Sequence, residues 1–233
     1  MLKLITFPAA FDAPAASPFC VKAMCMLKAS GLDWAAEITS DPRKAPKQKL
    51  PALRDGGRVI PDSNEIRDHL ETRYGVDFDT GLSDQDRAVS RAVIRMAEEH
   101  IYFAITCNRW LDDDNWAVTR EVLFGGIIPK PLFKFVTGKI RKQAKANADG
   151  QGMGRHSPQE RADRIAKDFL AIETLLGDKP FLFGGTPTAA DMSVVPMLHA
   201  LSTSTMETPS SRLVTGNAGL MAYIARGIAA MYP

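Results

Sequence analysis

Two short motifs in the first third of the chain could together bind a small ligand. At Leu50-Pro51 the proline lacks the N–H that a sheet ladder needs, and its peptide bond can be cis. The Leu50 N–H and C=O would then face a pocket, where an extended peptide could pair with them as an added strand. Asp62-Ser63 opens a helical pattern and would offer a hydroxyl, backbone N–H groups and a positive helix dipole to a carboxylate. The sequence therefore predicts a pocket for a short, extended, anionic ligand.

A third motif, residues 17–20, reads Ser-Pro-Phe-Cys. Serine before proline is typical of a helix N-cap followed by the first helical residue. A C-x-x-C pair would indicate dithiol redox chemistry, but Ser17 stands where the first cysteine would be. We therefore expect Cys20 to be a buried first-turn residue, and we expect Cys25 and Cys107 in the core.

Periodicity and turn signals predict the elements that position these motifs. Residues 2–7 and 34–38 read as strands, and between them a helix runs from Pro18 to about Ser30, ended by Gly31. Residues 41–49 hold at most a short helix. The Asp-Gly-Gly turn at 55–57 predicts a hairpin, and a helix follows over 63–74. Residues 1–75 are thus predicted as an α/β unit with the order β-α-β-α-β-β-α.

From residue 83 onward the periodicity is helical throughout, so an all-helical bundle is predicted to follow the α/β unit. Capping signals at 157–160 and 188–191 predict the starts of two of its helices. We place the α/β domain at 1–75, a linker at 76–82 and the helical domain at 83–233. The basic segment 130–145 contains no acid; it predicts a solvated helix face, or else a surface that contacts an anionic partner or a membrane.

Bulk properties exclude several classes of protein. The chain has 233 residues and a formal net charge of +2, so its charge does not indicate a nucleic-acid partner. Three cysteines indicate a reducing compartment, and no apolar run approaches the length of a membrane span. We predict a cytoplasmic protein with no transmembrane segment. No phosphate-binding glycine loop and no metal-ligand spacing occurs, so neither a nucleotide nor a metal is predicted.

Together these motifs resemble those of the glutathione transferase superfamily, over nearly the whole chain. The matching segments are 17–20, 49–53 and 62–66 in the α/β half and 188–191 in the helical half. Within the superfamily the chain most resembles bacterial relatives of the failed axon connections and metaxin group, through the long loop before residue 17 and segments 98–102, 109–110, 152–157 and 179–184. The resemblance implies a thioredoxin-like N-terminal domain, a homodimer, glutathione as a substrate and a role in detoxification.

The resemblance also implies roles for individual residues. Ser17 takes the position that contacts the glutathione sulfur, where its hydroxyl and the helix N-terminus would favour ionisation of a thiol whose usual pKa is ~8.5. Its alternative role is to cap the helix. Leu50 would pair with the cysteinyl backbone of glutathione, and Asp62 and Ser63 would hold the γ-glutamyl end. The complete predicted glutathione-binding set is Phe19, Leu50, Pro51, Asp62 and Ser63.

A small electrophile is expected to bind as acceptor between the two domains. Candidate residues for an apolar acceptor site are Phe11, Tyr102 and Trp110, although aromatic residues at helical spacing more often belong to the core. Ala45 and Gln48 stand where asparagine and glycine are frequent in the family, so the contacts to the glycyl carboxylate are left open. Lys44, Lys47 and Lys49 are candidates for those contacts by charge alone.

The sequence leaves three functions open. The first is transfer of glutathione to an electrophile. The second is a non-catalytic interaction or adaptor protein, as the metaxin group suggests. The departures at Ala45 and Gln48 and the basic segment 130–145 would favour this function. The third is a glutathione-dependent thiol reductase that uses Cys20.

Overall fold

The computed structural model describes residues 1–204 and 207–233 and confirms the predicted fold class. The strands are β1 (Leu2–Thr6), β2 (Trp34–Ile38), β3 (Ala52–Asp55) and β4 (Arg58–Pro61). The helices are α1 (Pro18–Ser30), α2 (Ser63–Tyr74), α3 (Asp84–Met96), α4 (Tyr102–Trp110), α5 (Asp113–Phe124), α6 (Lys130–Gln151), α7 (Pro158–Leu176), α8 (Ala189–Ser202), α9 (Pro209–Thr215) and α10 (Ala218–Met231).

The strands form one mixed sheet in the order β2-β1-β3-β4. Strand β1 pairs with β2 in parallel, because α1 returns the chain between them, and with β3 in antiparallel, where Leu4 lies opposite Leu53. The β3–β4 hairpin closes at Gly56, whose φ of 56° suits a glycine. Because β1 and β3 are antiparallel neighbours, the end of β1 and the start of β3 lie at the same end of the sheet, where the predicted motifs meet.

Helix α1 lies between the sheet and the helical domain. It packs against α8 and α2, and residues 20–27 are all buried. Its end at Gly31, with φ of 66°, is the left-handed C-terminus that the sequence predicted. Cys20, Cys25 and Cys107 are buried as expected.

The second helix of the predicted α/β order is reduced to two single turns, Pro42–Lys44 and Pro46–Gln48. Each turn begins at a proline, which cannot donate to a helical hydrogen bond, and Lys47 and Gln48 have φ of 58° and 53°, so no regular helix propagates. The short element expected over 41–49 is thus accounted for.

Residues 75–83, which include the predicted linker, contain neither helix nor strand, and Phe78 and Asp79 are their buried residues. Asp79 is buried and accepts hydrogen bonds from Arg67 Nη2 at 2.8 Å and from the Ala189 N–H at 3.2 Å. This carboxylate therefore ties α2 to the start of α8. The exact domain boundaries stay a prediction.

A π-helical turn, Ala97–Ile101, interrupts the long helical segment between α3 and α4. Such turns insert one extra residue and reorient the side chains around it. Here Glu98 is buried against α1 and α8.

Candidate functional site

Ser17 stands at the N-cap of α1, but its side chain makes no capping hydrogen bond. Pro18 follows as the first helical residue, and the first turn contains no acidic residue that would offset the positive end of the helix dipole. The structure therefore does not show the alternative role of Ser17, a side-chain cap of α1. The partly exposed Ser17 hydroxyl and the start of α1 are positioned to act on an anion.

Leu50 lies just before β3, at one end of the sheet, and its main-chain groups have no described hydrogen-bond partner; this place is called the Leu50 edge. The Leu50–Pro51 peptide bond is cis, as predicted. No residue within 1–204 or 207–233 forms a hydrogen bond with the Leu50 N–H or C=O, although the Leu50 side chain is buried. Since main-chain groups left without a partner next to a strand are what an extended peptide pairs with, this edge can accept one.

The Asp62–Ser63 pair lies beside this edge, because the Asp62 N–H donates to the Pro51 carbonyl oxygen at 3.2 Å. Asp62 is exposed, has φ of 64° and caps α2 by accepting from the Asn64 N–H at 2.8 Å. Ser63 is only 2% exposed, and its hydroxyl makes no hydrogen bond with the described residues. The hydroxyl oxygen itself is not fully buried, so a bound polar group can reach it and supply the missing hydrogen bond.

The Ser17 motif and the Leu50 edge come together at the same end of the sheet. In the β1–β3 register Ile5 lies opposite Ala52, so Phe7 and Leu50, which flank these strands, lie at the same end of the sheet. The Cys20 thiol is within hydrogen-bonding reach of the Phe7 main chain and the Ser17 hydroxyl. Cys20, in the first turn of α1, is thus close to the Ser17 hydroxyl but wholly buried.

Burial raises the pKa of the Cys20 thiol, and hydrogen bonds from neighbouring groups lower it by less. A protonated, inaccessible thiol is a poor nucleophile. This arrangement gives no support to a reductase that uses Cys20.

Phe19 and Tyr102 bring the helical domain against the start of α1. Their rings meet edge to face with centroids 4.7 Å apart. Burial raises the pKa of the Tyr102 phenol, so it stays protonated at neutral pH. Of the predicted acceptor residues, Tyr102 is therefore placed directly beside the Ser17 motif.

Arg109 is a residue of this region that the sequence analysis did not assign a role. Its Nη1 donates to the Ala16 carbonyl oxygen at 2.9 Å, and its guanidinium lies over Phe11 with 4.1 Å from Cζ to the ring centroid. Phe11 is thus also at the site. The available signal was a lone cation in the otherwise uncharged helix α4.

The aromatic contacts of Trp110 are with residues of α5. It stacks on Trp116 of α5 at 5.2 Å between centroids and meets Phe124 edge to face at 6.3 Å. These contacts direct the ring toward α5, away from the Ser17 motif, and a part for Trp110 in the acceptor site stays a prediction.

A buried ion pair supports the site from behind, and sequence reasoning missed it as well. Lys22 Nζ lies 2.5 Å from Glu98 Oε1, with both side chains at most 2% exposed. Lys22 also donates to Asn64 Oδ1 at 2.8 Å, and Asn64 Nδ2 donates to Glu98 Oε2 at 2.9 Å. Because Asn64 follows Ser63, this network joins α1, the start of α2 and the helical domain.

The lysines proposed for the glycyl carboxylate are all exposed. Lys47 forms an ion pair with Glu65. Lys44 and Lys49 form none with the described residues. Across residues 1–204 and 207–233, no group of three or more His, Cys, Asp or Glu side chains could hold a metal ion, and no described helix has the length and apolarity needed to cross a membrane.

Two family models match the chain. One, described as glutathione S-transferase N-terminal domain, matches residues 18–115, and the other, described as glutathione S-transferase, C-terminal domain, matches residues 157–226. The solved structure of glutathione transferase GSTFuA3 from Phanerochaete chrysosporium is similar with a TM-score of 0.66 and 18% identity, covering 97% of this chain and 96% of that one. At that identity the likeness establishes a shared fold.

Three relatives are similar in sequence. The isoprene-epoxide–glutathione S-transferase of Rhodococcus sp. (strain AD45) is 28% identical, with 97% of each chain covered. "Failed axon connections" of Drosophila melanogaster is 30% identical over 81% of this chain and 48% of that protein, and Metaxin-1 of Mus musculus is 29% identical over 78% and 59%. This chain therefore spans about half of the length of the last two. The resemblance to their group is confirmed.

Proposed function

The chain belongs to the glutathione S-transferase superfamily, and from that premise we propose that it binds glutathione and conjugates its thiolate to small electrophilic acceptors. The observation that carries the proposal is the Leu50 main chain beside the Ser63 hydroxyl, neither of which has a hydrogen-bond partner among the described residues. Glutathione would lie extended along this edge, with its cysteinyl backbone on Leu50 and its γ-glutamyl end at Asp62 and Ser63.

The Ser17 hydroxyl would then donate to the glutathione sulfur. A donor at the start of α1 favours the thiolate over the thiol, because both the hydrogen bond and the helix dipole stabilise negative charge. Freedom of the Ser17 side chain from capping supports this role.

In the chemical step the thiolate attacks an electrophilic carbon. A carbon–sulfur bond forms, and the bond to the leaving group breaks with its electron pair. If the acceptor is an epoxide, as the name of the Rhodococcus relative suggests, the released oxygen needs a proton. Tyr102, held protonated beside Phe19, is a suitable donor.

Calorimetric titration with glutathione, followed by turnover of 1-chloro-2,4-dinitrobenzene and of an epoxide, tests the proposal. Ser17→Ala should lower kcat by ~10-fold or more with little change in glutathione affinity, since it removes a contact made to the developing charge. Ser63→Ala should weaken glutathione binding instead. Absence of glutathione binding at millimolar ligand would refute the enzyme proposal.

Ser83→Ala provides the matched control. Ser83 also precedes a helix, and its hydroxyl accepts from the Asp86 N–H at 3.2 Å, but it lies at the start of α3, away from the Leu50 edge. Its loss should reduce stability by ~1 kcal/mol and leave glutathione affinity unchanged. A similar loss of glutathione affinity in all three variants would indicate a general loss of structure and not the removal of a ligand contact.

A homodimer and a cytoplasmic location are further parts of the proposal. They rest on the family resemblance and on the composition of the chain. Light scattering on the purified protein measures the first, and cell fractionation the second.

A second candidate function, an interaction protein, is favoured by the surface of α6 and of the residues just before it. Ile127, Leu132 and Phe135 are 54%, 53% and 63% exposed. The surrounding segment 122–148 has no acidic residue and contains the exposed lysines Lys130, Lys134, Lys139, Lys142 and Lys145. Exposed apolar groups among cations suit a negatively charged surface.

Sedimentation with vesicles tests this second function. The protein should bind phosphatidylserine vesicles more tightly than phosphatidylcholine vesicles, and Phe135→Glu should abolish the difference. Such binding in a protein that fails to bind glutathione would favour the interaction function over the transferase.

A further inference from the structure

Arg109 carries a charge that no acidic residue balances. Within 1–204 and 207–233 its one hydrogen bond goes to the Ala16 carbonyl oxygen, and no carboxylate lies within ion-pair distance. Asp12, the acid next to Phe11 in the chain, is exposed and does not pair with it. Burial lowers the pKa of Arg109 to about 10, so it is still a cation at neutral pH. Arg109 is only partly exposed, and a cation with no carboxylate partner can gain a charge-assisted hydrogen bond from a bound anion.

The contacts of Arg109 leave a specific part of its guanidinium open. Phe11 covers one face of the planar group, and Ala16 occupies Nη1. Nε and Nη2 have no described partner, yet neither is buried from solvent. These two atoms form the edge whose parallel N–H groups bind both oxygens of a carboxylate.

The position of this edge separates it from the predicted glutathione contacts. Ala16 directly precedes Ser17, so Arg109 lies on the side where the sulfur is placed. The γ-glutamyl end is placed at Asp62 and Ser63, and Asp62 is hydrogen-bonded to Pro51, whereas Arg109 is hydrogen-bonded to Ala16. Phe11 provides an apolar ring against the guanidinium, and the Tyr102 phenol lies near enough to Arg109 to act on it electrostatically.

We propose that Arg109 binds a carboxylate on the acceptor, so that the preferred substrates are small electrophilic acids with an aromatic or unsaturated body. This inference rests on the proposed transferase function and adds the charge class of its second substrate. Arg109 contacts the acceptor by its Nε–Nη2 edge. Phe11 packs against one face of the guanidinium and so fixes the direction of that edge.

Binding without glutathione tests Arg109 independently of catalysis. Calorimetry should give native protein at least ~10-fold higher affinity for benzoate than for benzamide, which has the same shape without the charge. Arg109→Met should remove that difference, and Arg109→Lys, which keeps the charge but not the fork, should retain part of it. Asp12→Asn is the control and should leave the benzoate affinity unchanged or raise it. Melting curves establish that each variant is folded.

Kinetics then place the carboxylate in the reaction. With 4-chloro-3-nitrobenzoate as acceptor, Arg109→Met should raise KM by about 10-fold to 100-fold, while KM for 4-chloro-3-nitrobenzamide should stay within about 2-fold. If native protein conjugates neither acceptor, the transferase function fails, and benzoate binding alone still decides the role of Arg109.

Three results would overturn the inference. The first is equal affinity of native protein for benzoate and benzamide, including no binding of either. The second is unchanged benzoate affinity in folded Arg109→Met. The third is an equal loss of turnover with both acceptors together with a raised pKa of the bound glutathione thiol, which would assign Arg109 to the thiolate.

Discussion

The ion pair between Lys22 and Glu98 should be one of the strongest single determinants of stability in this protein. Lys22 Nζ and Glu98 Oε1 are 2.5 Å apart, and the two side chains are 0% and 2% exposed. Removing one member leaves the other charge buried, which in proteins costs ~3–5 kcal/mol. We therefore expect Lys22→Met and Glu98→Gln each to lower the free energy of unfolding by about that amount.

The neighbouring groups indicate which substitution is worse. Without Lys22, Glu98 keeps Arg95 as an ion-pair partner and the Ser193 hydroxyl as a donor at 3.2 Å. In Glu98→Gln, Lys22 keeps the Asn64 amide oxygen at 2.8 Å and can meet the neutral glutamine oxygen, but within the described residues it has no other carboxylate partner. Glu98→Gln should therefore be the more destabilising change.

The double variant Lys22→Met/Glu98→Gln removes both charges. It should be less destabilised than the sum of the two single variants, with a coupling energy of ~2 kcal/mol or more. Guanidinium chloride unfolding measures these differences. Since m in this denaturant is roughly 2–6 kcal/mol/M, the midpoint of each single variant should fall by about 0.5 M or more.

An exposed pair provides the control. Lys47 and Glu65 also form an ion pair, but their side chains are 58% and 48% exposed. Lys47→Met should therefore cost less than ~1 kcal/mol. Losses below ~1 kcal/mol for both buried single variants, or strictly additive losses in the double variant, would refute the reasoning.

Three further predictions concern other buried or paired groups. Asp191→Ala should lower the free energy of unfolding by ~3 kcal/mol, since both oxygens of this buried carboxylate accept hydrogen bonds. Ser157→Ala removes only an exposed helix cap, so it should lower the free energy of unfolding by ~1 kcal/mol; thermal unfolding measures both. Iodoacetamide at pH 8 should leave Cys20 unmodified until denaturant is added, because burial raises its pKa; rapid native labelling would contradict this. Arg87 lowers the pKa of Asp77 to about 2, so the pair should stabilise the fold above pH ~4 and cease to do so as the pH falls through ~2. Both side chains are substantially exposed, so the loss of stability in Arg87→Gln should be small at neutral pH and absent below pH ~2.

Local chemistry explains why much of the candidate site could be located in advance. Helix ends and turns depend on residues that are adjacent in the chain, so Gly31 and the hairpin at Gly56 indicated their elements directly. The Ser17, Leu50 and Ser63 motifs lie at the ends of such elements. Their meeting at one edge follows from the strand order, which the family resemblance supplied.

The charged groups that complete the site were not predictable in this way. Lys22 reads as an ordinary helix residue, and its partner Glu98 is 76 positions away. Arg109 is joined to Ala16 across 93 positions. Whether a long side chain ends in solvent or between two layers depends on what packs over it, and that is set by the docking of the helical domain.

The sequence by itself determined the element order, the helix caps and the three motifs of the peptide edge, because these depend on backbone propensities of neighbouring residues. Only the tertiary structure decided that the Ser17 side chain does not cap, that Trp110 packs on Trp116, and that Lys22 and Arg109 lie between the domains. Those outcomes depend on burial and on partners that are distant in the chain, and no local pattern encodes them.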